Sequence, residues 1–267
     1  MTNEHYTNVE RALLQYAMSL GVVSEEKLIL FHAKSKELIK QKDDQDEQEA
    51  IAQERSLDHA IDLINQKLYP LDYKIAKVLN QEKGDSYYVY CNTSEDKPST
   101  AATQFTTAEI DVIKKLIDFI ITEGGINESY VIGSSNAIKK VSSSITSYTA
   151  SQSQQFLDKL VNSGWFNLSQ NGKYSLSLKT LTELKSTLIE KYSKREEGGL
   201  IDICLGCKDI VTVGVRCPNQ TCHIRLHEAC ENNYSRARRD QGRVCPCGND
   251  WSENDLLPVG ESVLRGL

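Results

Sequence analysis

The sequence predicts an α+β chain: two tandem winged-helix domains, residues 1–95 and 104–197, followed by a small cross-braced two-zinc domain at 200–252. Three observations predict it. Apolar residues recur at helical spacing ahead of a hairpin pattern in the first 95 residues. The same plan returns after a Ser/Thr-rich break. Seven of the eight cysteines and two of the five histidines then crowd into the segment from Cys204 to Cys247.

In the first domain Val9, Leu13, Tyr16, Ala17 and Leu20 form one helical stripe, which Gly21 ends. Ser24 is an N-cap for a second helix to about Ile39. An acidic run, Asp43, Asp44, Asp46, Glu47 and Glu49, reads as a solvated loop. Leu57, Ile61, Ile64 and Leu68 make a third stripe, stopped by Pro70. Tyr73, Ile75 and Val78, then Lys83-Gly84-Asp85, then Tyr87, Val89 and Cys91 read as two strands around a turn. Helices closed by a hairpin are the parts of a winged helix. Cys91 is expected to be a buried strand thiol.

Residues 92–105 read as a linker. Thr106 through Glu109 has capping-box spacing ahead of an apolar helix carrying Ile110, Ile113, Ile117, Ile120 and Ile121, with Gly124-Gly125 as its end. The Ser-rich stretch 134–153 has weak periodicity, with Ile138, Val141, Ile145 and Tyr148 as expected core contacts. Phe156, Leu157, Leu160 and Val161 mark another helix, ended by Gly164. Trp165 through Leu168 and Tyr174 through Leu176 flank Asn171-Gly172, the strongest short hairpin signal. Trp165 and Phe166 are expected in the core. One closing helix carries Leu178, Leu181, Leu184, Leu188 and Tyr192, and Gly198-Gly199 is expected to form a hinge.

The chain has 267 residues and a net charge of −6. Residues 1–95 hold 11 Lys or Arg against 17 Asp or Glu, 96–199 hold 12 against 11, and 200–267 hold 8 against 9. Nucleic-acid affinity rests on neutralising phosphates, so this balance favours protein docking, with weak or indirect DNA contact. Residues 1–20, with polar Thr2, Asn3, Glu4 and His5, carry no long apolar run, so neither a secretory signal nor a membrane anchor is expected.

The terminal cluster reads Cys204, Cys207, Cys217, Cys222, His227, Cys230, Cys245, Cys247, with gaps of 2, 9, 4, 4, 2, 14 and 1 residues. Zinc takes four thiolate or imidazole ligands in a tetrahedron, and pairs separated by two residues present both to one ion. Disulfides are the competing use; a reducing interior, expected without a secretory signal, favours metal. His227 lies three positions before Cys230 and makes a chelating pair, whereas His223 does not. The ligand order is shared by RING variants and PHD fingers, in which the first and third pairs hold one ion and the second and fourth the other. That arrangement puts Cys204, Cys207, His227 and Cys230 at one site and Cys217, Cys222, Cys245 and Cys247 at the second. Spacing leaves consecutive pairing into two ribbons open. Arg243 stands where methyl-lysine readers place an aromatic residue, which weighs against such a cage. Arg236, Arg238, Arg239 and Arg243, against Glu231 and Asp240, leave a small positive surplus read as a solvated helix face.

The chain resembles the non-SMC element one subunit family of the SMC five-six chromosome complex, which has two winged-helix domains followed by a variant RING. The resemblance rests on Asn65-Gln66-Lys67-Leu68 with Tyr73-Lys74-Ile75, on Trp165-Phe166, and on Tyr174 through Leu178. Most specific are Cys222 through His227, with Ile224-Arg225-Leu226, and the tail Cys245-Pro246-Cys247-Gly248-Asn249-Asp250-Trp251. It implies a RING-type ubiquitin ligase subunit of a nuclear, chromosome-bound complex acting in DNA repair and recombination. It also implies docking to a MAGE-like subunit and contact with a kleisin subunit. Such a RING has no catalytic residue; it holds a ubiquitin-conjugating enzyme and favours its reactive thioester geometry. Leu205, Ile210 and Pro246 are the expected enzyme contacts.

Three departures bear on activity. Gly206 precedes the second ligand, where active RINGs often carry isoleucine. The one-residue gap between Cys245 and Cys247 is expected to tighten or distort the second site. Gly248 and Asn249 replace a basic residue that often follows the last ligand. The expected ligase is weak or partner-dependent; the alternative is a non-catalytic structural subunit whose zinc module only stabilises the complex.

Overall fold

The computed structural model describes residues 6–40, 54–93, 105–238, 243–251 and 256–265. The acidic run at 43–49, most of the expected linker, the first five residues, Arg239 and Asp240 lie outside the described residues. The chain divides into two compact units, Met1–Leu79 with Asp85–Lys97, and Asn80–Gly84 with Pro98–Leu267.

In the first unit, α1 (Asn8–Leu20) starts at Thr7, which exchanges capping-box hydrogen bonds with Glu10, and ends at Gly21 with φ 69°. β1 (Val22–Ser24) leads into α2 (Glu25–Lys40), and α3 (Leu57–Leu68) is capped by the Ser56 hydroxyl. β2 (Tyr73–Leu79) and β3 (Ser86–Asn92) form the expected hairpin, and the antiparallel sheet has the order β1-β3-β2. β1 is too short for its period to register in the sequence. Val9, Leu13, Ala17, Leu28, Ile61, Ile64 and Leu68 pack against Val23, Ile75 and Tyr88 to make the core. Leu20, expected on the buried stripe, is the last residue of α1 and is half exposed. Pro70 sits inside a 3-10 turn, Tyr69–Leu71, that follows α3 directly. Cys91 is buried in β3.

Asn65 explains one block of the resemblance. Its side-chain amide donates to the Ile75 carbonyl at 3.0 Å and accepts from the Ile75 N–H at 2.7 Å, pinning α3 to β2. In the first turn of α1, Glu10 is fully buried and meets Arg55 at 3.0 Å. Burial alone would raise the Glu10 carboxyl, but hydrogen bonds from Thr7 and Arg55 hold it below its ordinary value.

After Asn80–Gly84, the described part of the second unit resumes at Phe105, assigned to the linker by sequence but 5% exposed and edge-on to Phe156 and Trp165 at 6.2 and 6.5 Å. α4 (Thr107–Ile126) has the capping box between Thr106 and Glu109. It does not end at Gly124-Gly125 but runs through them. A Cβ on Gly124 would stand 3.0 Å from the Tyr130 backbone, so glycine there permits the chain's close return. β4 (Ile132–Gly133), α5 (Ser134–Ser144) and α6 (Ala150–Asn162) follow. In the Ser-rich stretch Ala137 and Val141 are buried, while Ile138, Ile145 and Tyr148 are only half-buried.

β5 (Phe166–Leu168) and β6 (Lys173–Leu176) meet across Asn171-Gly172, with Gly172 at φ 68°, and the sheet order is β4-β6-β5. Phe166 is buried and Trp165 half-buried. The expected single closing helix is two, α7 (Leu178–Glu183) and α8 (Lys185–Tyr192), broken at Leu184.

Gly198-Gly199 is a pinned turn rather than a hinge. Gly199 N–H donates to the Lys194 carbonyl at 2.9 Å, and Leu200 and Ile201 donate to Tyr192 and Ser193, each at 3.0 Å. The terminal module has β7 (Gly214–Arg216), β8 (Arg225–Leu226), α9 (Glu228–Ala237) and β9 (Leu257–Val259), with sheet order β8-β7-β9. Its third strand lies beyond residue 252. No helix among the described residues is long and apolar enough to cross a membrane.

Candidate metal centre

The module presents its eight cysteine and histidine ligands from turns and element ends. At the first turn Cys204 N–H donates to the Asp209 carbonyl at 2.8 Å and Lys208 N–H to the Cys204 carbonyl at 3.1 Å, so both sulfurs face one point. His227 is the N-cap of α9, and Cys230 lies in that helix's first turn. Cys217 follows β7, and Cys222 N–H closes a turn onto the Asn219 carbonyl at 3.0 Å. Cys245 and Cys247 flank Pro246 in a turn completed by Gly248, whose φ is 88°.

Two clusters result: Cys204, Cys207, His227 and Cys230, and Cys217, Cys222, Cys245 and Cys247. In each, the ligand atoms lie within 4.8 Å of one another. The clusters interleave along the chain, which settles cross-bracing over consecutive ribbons. His227 is the histidine brought in, and His223 is exposed outside both. None of the seven cysteines forms a disulfide.

The donor sets fit zinc. A tetrahedral ion with Zn–S bonds of about 2.3 Å separates its sulfurs by roughly 3.8 Å. Cys217 and Cys247 sulfurs stand 3.8 Å apart, and those of Cys222 and Cys245 3.7 Å. The one-residue gap therefore does not push Cys247 out of the second cluster; the Gly248 turn absorbs the compression. Each cluster could bind one zinc ion, and the ions would supply folding free energy to a module with a small core.

The His227 ring has a defined orientation. Nδ1 lies 3.3 Å from the Cys207 sulfur, and Nε2 lies 3.3 Å from the Ile210 carbonyl. A proton on Nε2, donated to that carbonyl, leaves Nδ1 as the ligand, the arrangement that fixes tautomer and ring plane around metals. The Gln81 amide donates to the same carbonyl at 2.9 Å, and its oxygen accepts from the N–H groups of Thr212 and Val213 at 2.8 and 2.9 Å. The thiols share protons: a hydrogen bond from Cys207 holds Cys204 far below the ordinary thiol value and drives Cys207 up. The Asn249 N–H helps to hold Cys247 down to about 7, while burial raises Cys222 and Cys245. A divalent cation removes this competition by deprotonating every coordinating thiol.

Of the expected enzyme contacts, Leu205 is half-buried, Pro246 is exposed, and Ile210 is 3% exposed, its side chain turned into the module. Arg243 bonds to Ser235 at 3.1 Å and to Glu231, and Arg238 stacks 4.6 Å over Tyr234, so these two are engaged locally. Sequence reasoning missed the groups that seat the module. The Asp202 carboxylate is buried and accepts from Tyr130 Oη at 2.6 Å and from Arg195 Nε at 2.7 Å. Arg225 stood visibly between two ligands, but its partner Glu128 lies 97 residues upstream, beyond any local pattern.

Comparison with known proteins agrees with this geometry. A family described as "Nse1 non-SMC component of SMC5-6 complex" matches residues 10–184, and a "RING-like domain" family matches residues 204–248. The chain is 25% identical over 204 residues to the non-structural maintenance of chromosomes element 1 homolog of Rattus norvegicus, covering 76% of this chain and 71% of that one. To the Bos taurus homolog it is 24% identical over 255 residues, covering 95% and 87%. A solved chain of an "Nse1-Nse3-Nse4 complex" superposes with a TM-score of 0.69 at 20% identity, covering 94% of this chain and 99% of that one, a likeness of fold. The chain belongs to the Nse1 family of non-SMC components of the SMC5-6 complex.

Proposed function

We propose that the chain is a RING-type ubiquitin ligase subunit of a nuclear SMC-type complex that acts in DNA repair and chromosome maintenance. The observation that carries it is the cross-braced pair of clusters in a RING-like module on a body matching the Nse1 family. Cys204, Cys207, His227 and Cys230 hold one zinc ion and Cys217, Cys222, Cys245 and Cys247 the other. Residues 1–95 and 104–197 act as winged-helix domains that dock to a MAGE-like subunit, and the chain also contacts a kleisin subunit. The solved chain of similar fold belongs to an Nse1-Nse3-Nse4 complex, which supports such partners. Catalysis is by positioning: the module seats a ubiquitin-conjugating enzyme on Leu205 and Pro246 and restricts its thioester to reactive conformers.

A second reading has its own support. Gly206 offers no side chain beside the second ligand, and Ile210 is buried. Both reduce the surface for a conjugating enzyme, and favour a structural subunit whose zinc module only stabilises its complex. Reconstituted ubiquitination, with and without the MAGE-like subunit, separates the two. Chain formation that is lost in Leu205→Ala with the complex intact supports the ligase; no transfer under either condition leaves the structural reading.

A further inference from the structure

We propose that Arg225 is a positioning residue that makes both metal clusters and the loop at 128–130 one cooperative unit, linking metal occupancy to the docked state of that loop.

Arg225 is 3% exposed and touches each part of this unit. Its backbone bridges Cys204, and its carbonyl accepts from Leu205 N–H at 3.0 Å, which places it on the first cluster's turn. Its Nη1 donates to the carbonyls of Cys222 and Ile224 at 2.9 and 3.1 Å, which holds the second cluster's turn. The remaining edge of the guanidinium grips Glu128 in a two-point pair, Nε to Oε2 at 2.9 Å and Nη2 to Oε1 at 2.8 Å. Arg216, one residue before Cys217, approaches the same carboxylate at 3.6 Å.

The gripped loop is held in an unusual conformation. Glu128 has φ 59° and Tyr130 φ 48°, the left-handed region that non-glycine residues rarely occupy. Such residues persist where surrounding contacts over-determine them. Here those contacts include Ser129 N–H to the Gly124 carbonyl at 2.8 Å, Gly260 N–H to the Glu128 carbonyl at 2.8 Å, and the Arg225 pair. Metal fixes the Cys204 and Cys222 turns, and those turns fix the guanidinium. Losing the metal frees the turns and removes the partner that keeps Glu128 in place. Linkage is reciprocal, so weakening the Glu128 grip must also weaken metal retention.

The proposal rests on zinc occupancy of the two clusters, not on ligase activity. The test uses the full chain loaded with zinc, first verified by metal analysis at two ions per chain; failure at that step refutes zinc binding itself. Glu128→Gln keeps the shape and one acceptor oxygen but removes the charge, and Ile120→Val in α4 serves as a destabilised control away from the pair. Zinc release to a chromogenic chelator and amide exchange at Ser129 and Tyr130 are both read. Release about tenfold faster in Glu128→Gln is expected, the scale of outer-shell substitutions, with Ile120→Val unchanged. Chelation should also raise exchange at Ser129 and Tyr130 in the parent chain and have a smaller effect in Glu128→Gln. Equal release from all three proteins, or loop exchange indifferent to chelation in the parent, overturns the linkage. Arg225→Met, which strips all four side-chain hydrogen bonds and the ion pair to Asp202, should exceed Glu128→Gln in both readouts; a smaller effect would also count against it.

Discussion

A Cβ placed on Gly206 would stand 3.0 Å from the Cβ of Cys230 and 3.3 Å from its sulfur. The glycine before the second ligand position thus leaves room for Cys230, and a larger side chain there would press on the first cluster. Gly206→Ile is expected to lower stability of the module by about 1–3 kcal/mol, the usual cost of overpacking. Faster zinc release from the variant is the check; unchanged release would show that Cys230 yields without strain.

Metal removal should unfold the terminal module. Trp251 is 2% exposed and packs at 5.9 Å from Tyr234, beside the second cluster's last two ligands. Chelation is expected to shift its emission to the red, and zinc re-addition to reverse the shift. Trp165→Phe removes the only other tryptophan and isolates the signal. Metal analysis should return two zinc ions per chain, about one in His227→Ala.

The first unit should lose stability in mild acid. His32 is 6% exposed, its Nε2 has no hydrogen-bond partner among the described residues, and burial, with Lys36 nearby, lowers its pKa to about 4 despite the opposing Glu10 charge. Above pH 6.5 the ring is neutral folded and unfolded, so it adds no pH dependence. Between there and about 4 the unfolded chain takes up the proton and the folded one resists, so stability falls by roughly 2–3 kcal/mol across that window. His32→Leu should flatten the decline in urea midpoints between pH 7 and 5; a parallel decline would acquit the histidine.

The two adjacent glycines before the metal module should respond differently. Gly198 has φ 85° with open space around a built Cβ, so Gly198→Ala is expected to cost about 1 kcal/mol. A Cβ on Gly199 would collide with the Ser193 and Tyr192 carbonyls, and Gly199→Ala should cost several times more. Thermal midpoints of the two variants decide the point. Equal shifts would restore a hinge.

Much of the scaffold was legible because its signals are local. The helix start at Thr106 declares itself through Glu109 three residues later, and Asn171-Gly172 needs only its own backbone preferences to turn; the matching box of Thr7 and Glu10 emerged only in the structure. The short strands β1 and β4 were not legible, since two or three residues carry no period. Gly124-Gly125 looked like a helix stop because the sequence does not reveal that Tyr130 returns against it. Phe105 looked like linker because its ring partners come from 156 and 165.

The sequence by itself picked out the eight candidate ligands and pointed to two-zinc chemistry, because ligand type and spacing are properties of the chain. Tertiary structure alone decided which pairs converge on one point, which nitrogen of His227 faces the sulfurs, and that Ile210 is buried with its carbonyl facing the other ring nitrogen. It also decided that Arg225 answers to Glu128, at a separation of 97 residues. These outcomes depend on where folding brings distant segments together, and a desolvated charge pair or a shared carbonyl leaves no periodic trace along the chain.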